Sequence, residues 1–600
     1  MTIRNRVLAT CVALCTSVAV LAPAHANIVA KPVSVSAPGA LLNLEAIGTH
    51  ETGEFEKSAA EIVAYHAASK RLLVVNALSG KITVLDVSKP EQPTELHTVS
   101  AGAGTTVNSV AVRPDGLAVA TVEPADKTAA GSVIFFDAAG NGDVFGSVPV
   151  GSLPDMVTIT EDGAFALVAN EGEPAEDYSV DPEGSVSVIS LPKKVAAGTE
   201  VRTATFTAFE GKLPQGVRVF GPEGTDAQNL EPEYISTLDG KAYVALQENN
   251  AVAVVDIATA TVTDIYPLGT IDHSVVPFDP SDKDGATKLR TAPVKSFRLP
   301  DALAAYTAAG KGYFVTANEG DTRDWKGFSE EERVKKLKLS PDFAGLNADQ
   351  IKQLQSDEQL GRLKVTTTAG QNSDGTYDEL YGFGGRGFSI FDTNGNLVFD
   401  SGSEFEKILS ELPEQPFNPD HTSNDADDRS DDKGAEPEGL TLGTIGSHTF
   451  AFIGLERTSG IMVYDITDPQ APAFVTYLNN RDFAAAPDSG TAGDLGPEGL
   501  TFIPAEQSPN GKPLLAVGNE VSGTTTIYQV NADPSLTTPV KEPGGTSSSM
   551  TSSGSSTLGS SIGVIGGIAA ILAAIAGIAP HIPGLQAQIH QLLAMLNIRR

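Results

Sequence analysis

From about residue 55 onward the chain alternates short apolar runs with polar turns, and the alternation repeats. A unit opens with a polar or acidic step before an apolar residue, as in Glu61-Ile62-Val63. A second run ends in Asn, Gln or Glu, as in Leu72-Leu73-Val74-Val75-Asn76, and a third ends in Asp, as in Ile82-Thr83-Val84-Leu85-Asp86. Runs this short, rich in Val, Ile and aromatics and bounded by Gly, Asn and Asp, predict strands. The signature returns with openings at Asn108, Asp155, Glu233, Asp301, Glu438 and Glu498, and with second runs that end at Glu123, Glu171, Glu248, Glu319, Glu456 and Glu520.

The first three openings are spaced by roughly the 40–50 residues of a propeller blade. Insertions stretch the later units. The predicted fold is all-β: a seven-bladed β-propeller of four-stranded blades around an axis. Six or eight blades, or an array of β-sandwiches, are the alternatives. The largest insertion, about 328–363, falls in the fifth unit. Its composition predicts two short helices, around Glu330-Glu331-Glu332-Arg333 and Ala348-Asp349-Gln350-Ile351-Lys352, separated by Ser340-Pro341-Asp342. Such an insertion either covers one mouth of the channel or decorates the rim.

Different patterns flank the repeat. Residues 1–26 read as a secretory signal, with Arg4 and Arg6, an apolar Val7 to Leu21 and an Ala24-His25-Ala26 cleavage site. Residues 541–561 form a Gly/Ser/Thr linker. Residues 562–600 form a hydrophobic tail whose uncharged Ile562 to Pro580 has about the length of a membrane-spanning helix. The terminal Arg599-Arg600 suits a cytoplasmic end. A helix on the membrane surface or on a partner is the alternative for the tail. The expectation is an exported ectodomain, 27–540, held at the cell surface by a C-terminal transmembrane anchor.

Composition narrows the chemistry. Both cysteines, Cys11 and Cys15, lie in the signal, so the mature chain has no disulfide, thiolate site or cysteine nucleophile. Its stability must come from core burial, bound ions or both. The net charge of −34 disfavours nucleic acid and anionic lipid and attracts divalent cations. No G-x-S-x-G elbow, H-E-x-x-H helix or P-loop occurs, and no pair among the nine histidines has ligand spacing.

Equivalent positions in a propeller sit at one height around its axis, so the acids ending the second runs converge on one face. The unit-opening acids Asp155, Glu233, Asp301, Glu438 and Glu498 form a second set beside them. The candidate metal ligands are Glu171, Glu233, Glu248, Glu319, Asp321, Glu438, Glu456, Glu498 and Glu520. Clustered carboxylates repel unless protonated or bound to cations, and oxygen-only sets suit Ca²⁺, Mg²⁺ or Mn²⁺. The plainer alternative is that they cap loops between blades. Arg323, Arg386 and Arg457 are the candidate ligand-binding residues for a phosphate or carboxylate near such a metal, though an isolated arginine is more often a salt-bridge partner. The acidic stretch from Asp420 to Asp432 lacks calcium-loop spacing and is expected to be a solvated loop.

Several segments together resemble the choice-of-anchor I family. They are Ala169-Asn170-Glu171-Gly172-Glu173-Pro174, Pro232-Glu233-Tyr234, Leu246-Gln247-Glu248-Asn249-Asn250 and Ala317-Asn318-Glu319-Gly320-Asp321. Arg429 to Gly434, Glu436-Pro437-Glu438-Gly439, Gly454-Leu455-Glu456-Arg457 and Gly518-Asn519-Glu520-Val521-Ser522-Gly523 complete the set. The resemblance implies a surface-exposed, propeller-like domain with a variable C-terminal anchor, related to a mesenchyme-specific cell-surface glycoprotein and to atypical alkaline phosphatases. It carries no catalytic residue set. The chain departs from the pattern at Gly387, where Ser is expected after the arginine. Two functions follow: a surface propeller that binds divalent cations and an unidentified ligand at one mouth, or a metal-dependent phosphoric-ester hydrolase.

Overall fold

The computed structural model describes residues 28–222 and 224–537. The signal, linker and tail expectations fall outside these residues. Among the described residues, no helix is long and apolar enough to cross a membrane.

Each repeat unit forms an antiparallel sheet. The first contains Val63–His66, Arg71–Asn76, Lys81–Asp86 and Thr94–Ser100 in that spatial order. The fourth contains Pro232–Leu238, Lys241–Leu246, Ala251–Asp256 and Thr261–Pro267. Middle strands such as Arg71–Asn76 and Lys241–Leu246 are buried almost throughout. This is why their sequences read as continuous apolar runs: both faces pack on a neighbouring sheet.

The packing layers close on themselves. Leu73 and Val84 of the first sheet pack with Ala118 and Phe136 of the second. The sequence of layers runs onward to Val315 and Phe388 of the fifth sheet against Ile453 and Tyr464 of the sixth. Phe452 and Val463 then meet Val517 and Tyr528 of the seventh, and Leu514 and Ile527 return to Leu72 and Val74 of the first. A nearly all-β chain arranged as a ring of sheets is a β-propeller.

The chain's beginning completes the last sheet. Leu42–Glu51 pairs with Thr524–Ala532, from Leu42 opposite Ala532 to Glu51 opposite Thr524. Val33–Ser36 adds a fifth strand to the sixth sheet, on Ala473–Asn479.

The predicted insertion differs in kind from its expectation. Glu331–Arg333 is a strand paired with Lys364–Thr366, and only Ala348–Leu354 forms an α-helix. The charged run at 330–333 has helical propensity, but Glu330 is fully buried and accepts a hydrogen bond from Thr366 Oγ1 at 2.6 Å. That tertiary bond overrides the local preference. The predicted helix 348–352 does form, capped by Asn347, whose side chain accepts from the Asp349 and Gln350 amides. Val334, Phe343 and Leu363 of the insertion pack in one core with Phe278, Val294 and Tyr377 from outside it.

Candidate metal-binding mouth

The opening acids owe their position to a repeated backbone irregularity. In the third, fourth, sixth and seventh sheets the register slips across Pro154/Val157, Pro232/Ile235, Pro437/Leu440 and Pro497/Leu500. Each slip brackets one acid: Asp155, Glu233, Glu438 or Glu498. A bulge re-aims a side chain, and proline tolerates this site because the ladder is interrupted there. Glycines let the last innermost strands approach closely. A Cβ at Gly439 would collide with the Glu498 carbonyl, and one at Gly499 would lie 2.6 Å from the Glu61 carbonyl.

The second-strand acids end beside these bulges, and together they wall a cavity of about 450 Å³. Its lining includes Glu171, Glu233, Glu319, Asp321, Glu438, Glu456, Glu498 and Glu520, with Asp155 and Asp301. Glu248 joins them through a cluster with Glu171 and Glu233, in which one oxygen of each lies within 4.8 Å of the others. All nine predicted metal-ligand candidates therefore meet at one mouth. Asn76 and Glu123, the equivalent residues of the first two units, are not in the cavity lining; Glu123 instead accepts from Asn108 Nδ2 at 3.3 Å.

Some of these carboxylates lack partners. One oxygen each of Glu233, Glu248, Glu438 and Glu498 is buried without a hydrogen bond. Glu233 is 7 % exposed and Glu248 6 %. Burial, then the Glu248 and Glu171 carboxylates, pushes the Glu233 acid well above its usual range. Burial, with Glu173 and Glu123, raises Asp155 to about 7. Burial and the Glu456 carboxylate raise Glu520 to about 7 against the opposing His421 and Arg457. A mouth of this kind holds its acids protonated or takes up cations.

One side of the mouth already has cations of its own. Lys433 Nζ lies 3.1 Å from both Glu319 and Glu436 and 3.4 Å from Asp321. Glu436 is also bound by Arg429 at 2.7 Å and Arg457 at 3.2 Å. Burial alone would raise the Glu436 acid, but Lys433, Arg429 and Arg457 outweigh it and hold the group far below its ordinary range.

The three candidate arginines separate. Arg457 lines the mouth, 3.1 Å from Glu456. Arg323 is 3 % exposed and ties Glu231 at 2.8 Å to the Phe220 and Asn229 carbonyls. Arg386, 4 % exposed, binds Glu406 at 2.7 Å and the carbonyls of Asp279, Ser430 and Asp432. The expectation that Arg323 and Arg386 bind a ligand is corrected, because their donors are consumed inside the fold.

The solvated-loop expectation for Asp420 to Asp432 is corrected as well. Asp425 and Asp428 are exposed, but Asp427, Asp431 and Asp432 are buried. Arg333 and Arg362 of the insertion both meet Asp431, the latter at 3.1 Å, and Lys364 just beyond it meets Asp432 at 3.0 Å. The insertion (328–363) supplies no side chain to the mouth lining; it braces the loop that does. That loop brings in His421, a lining residue without a repeat position to predict it. Gln247, which donates to Glu319 at 2.7 Å, was legible as the residue before Glu248. At Gly387, a side chain would collide with Ser401 Oγ, which accepts from the Phe388 amide at 2.9 Å.

The choice-of-anchor I domain model matches residues 61–469, about two-thirds of the chain. The chain belongs to the choice-of-anchor I family. This choice-of-anchor I chain is 30 % identical over 195 residues to Gigasin-3a of Magallana gigas, covering 30 % of this chain and 68 % of that protein. It is also 30 % identical over 286 residues to the mesenchyme-specific cell surface glycoprotein of Strongylocentrotus purpuratus, covering 41 % of this chain. That match spans only 36 % of the glycoprotein's length. Among solved structures, Kuenenia stuttgartiensis hydrazine synthase matches at TM-score 0.41 and 12 % identity, over 79 % of this chain and 97 % of that one. The β-propeller domain of Myceliophteria thermophila Cps50 (Swd1) matches at TM-score 0.39 and 8 % identity, over 82 % of this chain and 100 % of that one.

Proposed function

We propose that this protein is an exported, cell-surface, seven-bladed β-propeller, held by its C-terminal tail, that binds divalent cations at an acid-walled mouth and through them a ligand or partner. The observation that carries the reading is the set of buried, unpartnered carboxylate oxygens at the mouth, above all those of Glu233 and Glu248. Leaving buried acceptors unmade is costly, and a hard cation is the group that oxygen-only walls accommodate. Family membership supports the surface location, and with both cysteines at positions 11 and 15 no disulfide competes with core packing or bound ions as a source of stability in the repeat.

Metal analysis and thermal melting test the reading. The purified protein is expected to retain Ca²⁺, Mg²⁺ or Mn²⁺ through gel filtration and to melt at a lower temperature in chelator. A metal-free protein whose midpoint ignores both chelator and added Ca²⁺ would overturn it.

A metal-dependent phosphoric-ester hydrolase is the second reading, favoured by Arg457 alone among the three arginines. It stands in the same mouth as the acids and could meet a phosphoryl oxygen there. In this reading the carboxylates hold the metal and Arg457 orients the anion. Turnover of a generic phosphate monoester should then need added Ca²⁺ or Mn²⁺ and fall with Arg457→Ala; metal-independent or absent turnover removes it.

A further inference from the structure

Among the described residues, titratable side chains at the mouth form four groups, each with ligand atoms within 4.8 Å of one another. They are not equivalent. The group of Glu319, Glu436 and Glu456 is already neutralised by Lys433, Arg429 and Arg457. The group of Glu171, Glu233 and Glu248 offers oxygen alone, and two of its oxygens are buried without partners. The group of His421, Glu456 and Glu520 contains an imidazole, and it shares Glu456 and one of those cations, Arg457, with the first group.

We propose that the mouth holds two cation sites of different chemistry: a hard-ion site at Glu171, Glu233 and Glu248, and a transition-ion site at His421, Glu456 and Glu520. The inference rests on the cation-binding reading and adds the identity of the sites and their selectivity. Carboxylate oxygens suit Ca²⁺ and Mg²⁺, whereas an imidazole nitrogen raises affinity for Zn²⁺, Co²⁺ and Cu²⁺.

The surroundings of His421 fit a ligand role. Its Nδ1 lies 3.4 Å from Glu456 Oε1, on the side of the carboxylate pair. Its Nε2 lies 3.6 Å from Asp420 Oδ1, and Arg457 Nη1 lies 2.8 Å from Nε2 and 3.4 Å from Nδ1, a position a bound cation would have to displace. A metal on Nδ1 would leave the ring proton on Nε2, on the side of the Asp420 carboxylate. A carboxylate behind a ligating imidazole is the usual means of fixing its tautomer and raising its basicity.

The experiment uses the full-length protein, stripped of metal and reloaded with Co²⁺ in excess Ca²⁺. Retained metals are counted after gel filtration, and the visible Co²⁺ bands are recorded. Both ions should be retained together. H421Q should weaken Co²⁺ binding by about tenfold or more and keep Ca²⁺, while E233Q combined with E248Q should do the reverse. Co²⁺ displaced one-for-one by Ca²⁺, or an unchanged Co²⁺ spectrum in folded H421Q, would overturn the two-site inference alone. Retention of neither ion would overturn the cation reading as well. Should H421Q fail to fold, pulsed EPR of the Cu²⁺-loaded unmodified protein supplies the readout: imidazole nitrogen modulation is expected, and its absence overturns the inference.

Discussion

The guanidinium of Arg323 is bound by Glu231 and two carbonyls, so Arg323→Ala leaves a carboxylate buried and uncompensated. The expected loss is about 3–5 kcal/mol in denaturant unfolding. Arg457→Ala opens onto the mouth, leaves Glu436 still paired with Lys433 and Arg429, and should cost less. Gly387→Ser drives a side chain into Ser401 Oγ and should destabilise by about 1–3 kcal/mol. Gly387→Ser combined with Ser401→Gly should recover part of that loss; no recovery would place the strain elsewhere. Titration belongs to this scale too. Asp155, Glu319 and Glu520 are raised to about 7 in the folded protein, so the folded state binds more protons than the unfolded one above the ordinary carboxylate range. Stability in chelator should therefore fall as pH rises from about 4 to about 8, and added Ca²⁺ should flatten the fall. A chelated protein whose melting temperature rises across that window would contradict the assignment.

Strands carried most of the legible information. An apolar run ending in Asn-Glu, as at Asn170-Glu171 or Asn519-Glu520, marks a buried middle strand whose last residues turn out at the mouth, and this was readable from periodicity alone. The acid at each bulge was readable as a unit opening, while the bulge itself was not, because register depends on the partner strand. Arg323 and Arg386 were misread for a related reason. Their partners Glu231 and Glu406 are 92 and 20 residues away and outside the repeat. His421 and Lys433 sit on a loop positioned by ion pairs with the insertion, and no local pattern predicts those pairs. The same scale gives a truncation test. Removing residues 28–37 deletes only the extra edge strand Val33–Ser36 and should lower the melting temperature modestly. Removal through Glu51 takes the fourth strand from the seventh sheet and should abolish cooperative unfolding, followed by circular dichroism.

At the scale of the whole molecule, Thr524–Ala532 starts beside the mouth, just after Glu520, and ends at the opposite end of its sheet. It lies between Leu514–Asn519 and Leu42–Glu51, hydrogen-bonded on both sides. A pull applied at Ala532 and opposed at the mouth end would act along this strand. It must shear two ladders at once, with no free edge from which to peel. This inner strand of the seventh sheet, held by a ladder on each side, is thus the sheet's mechanical clamp.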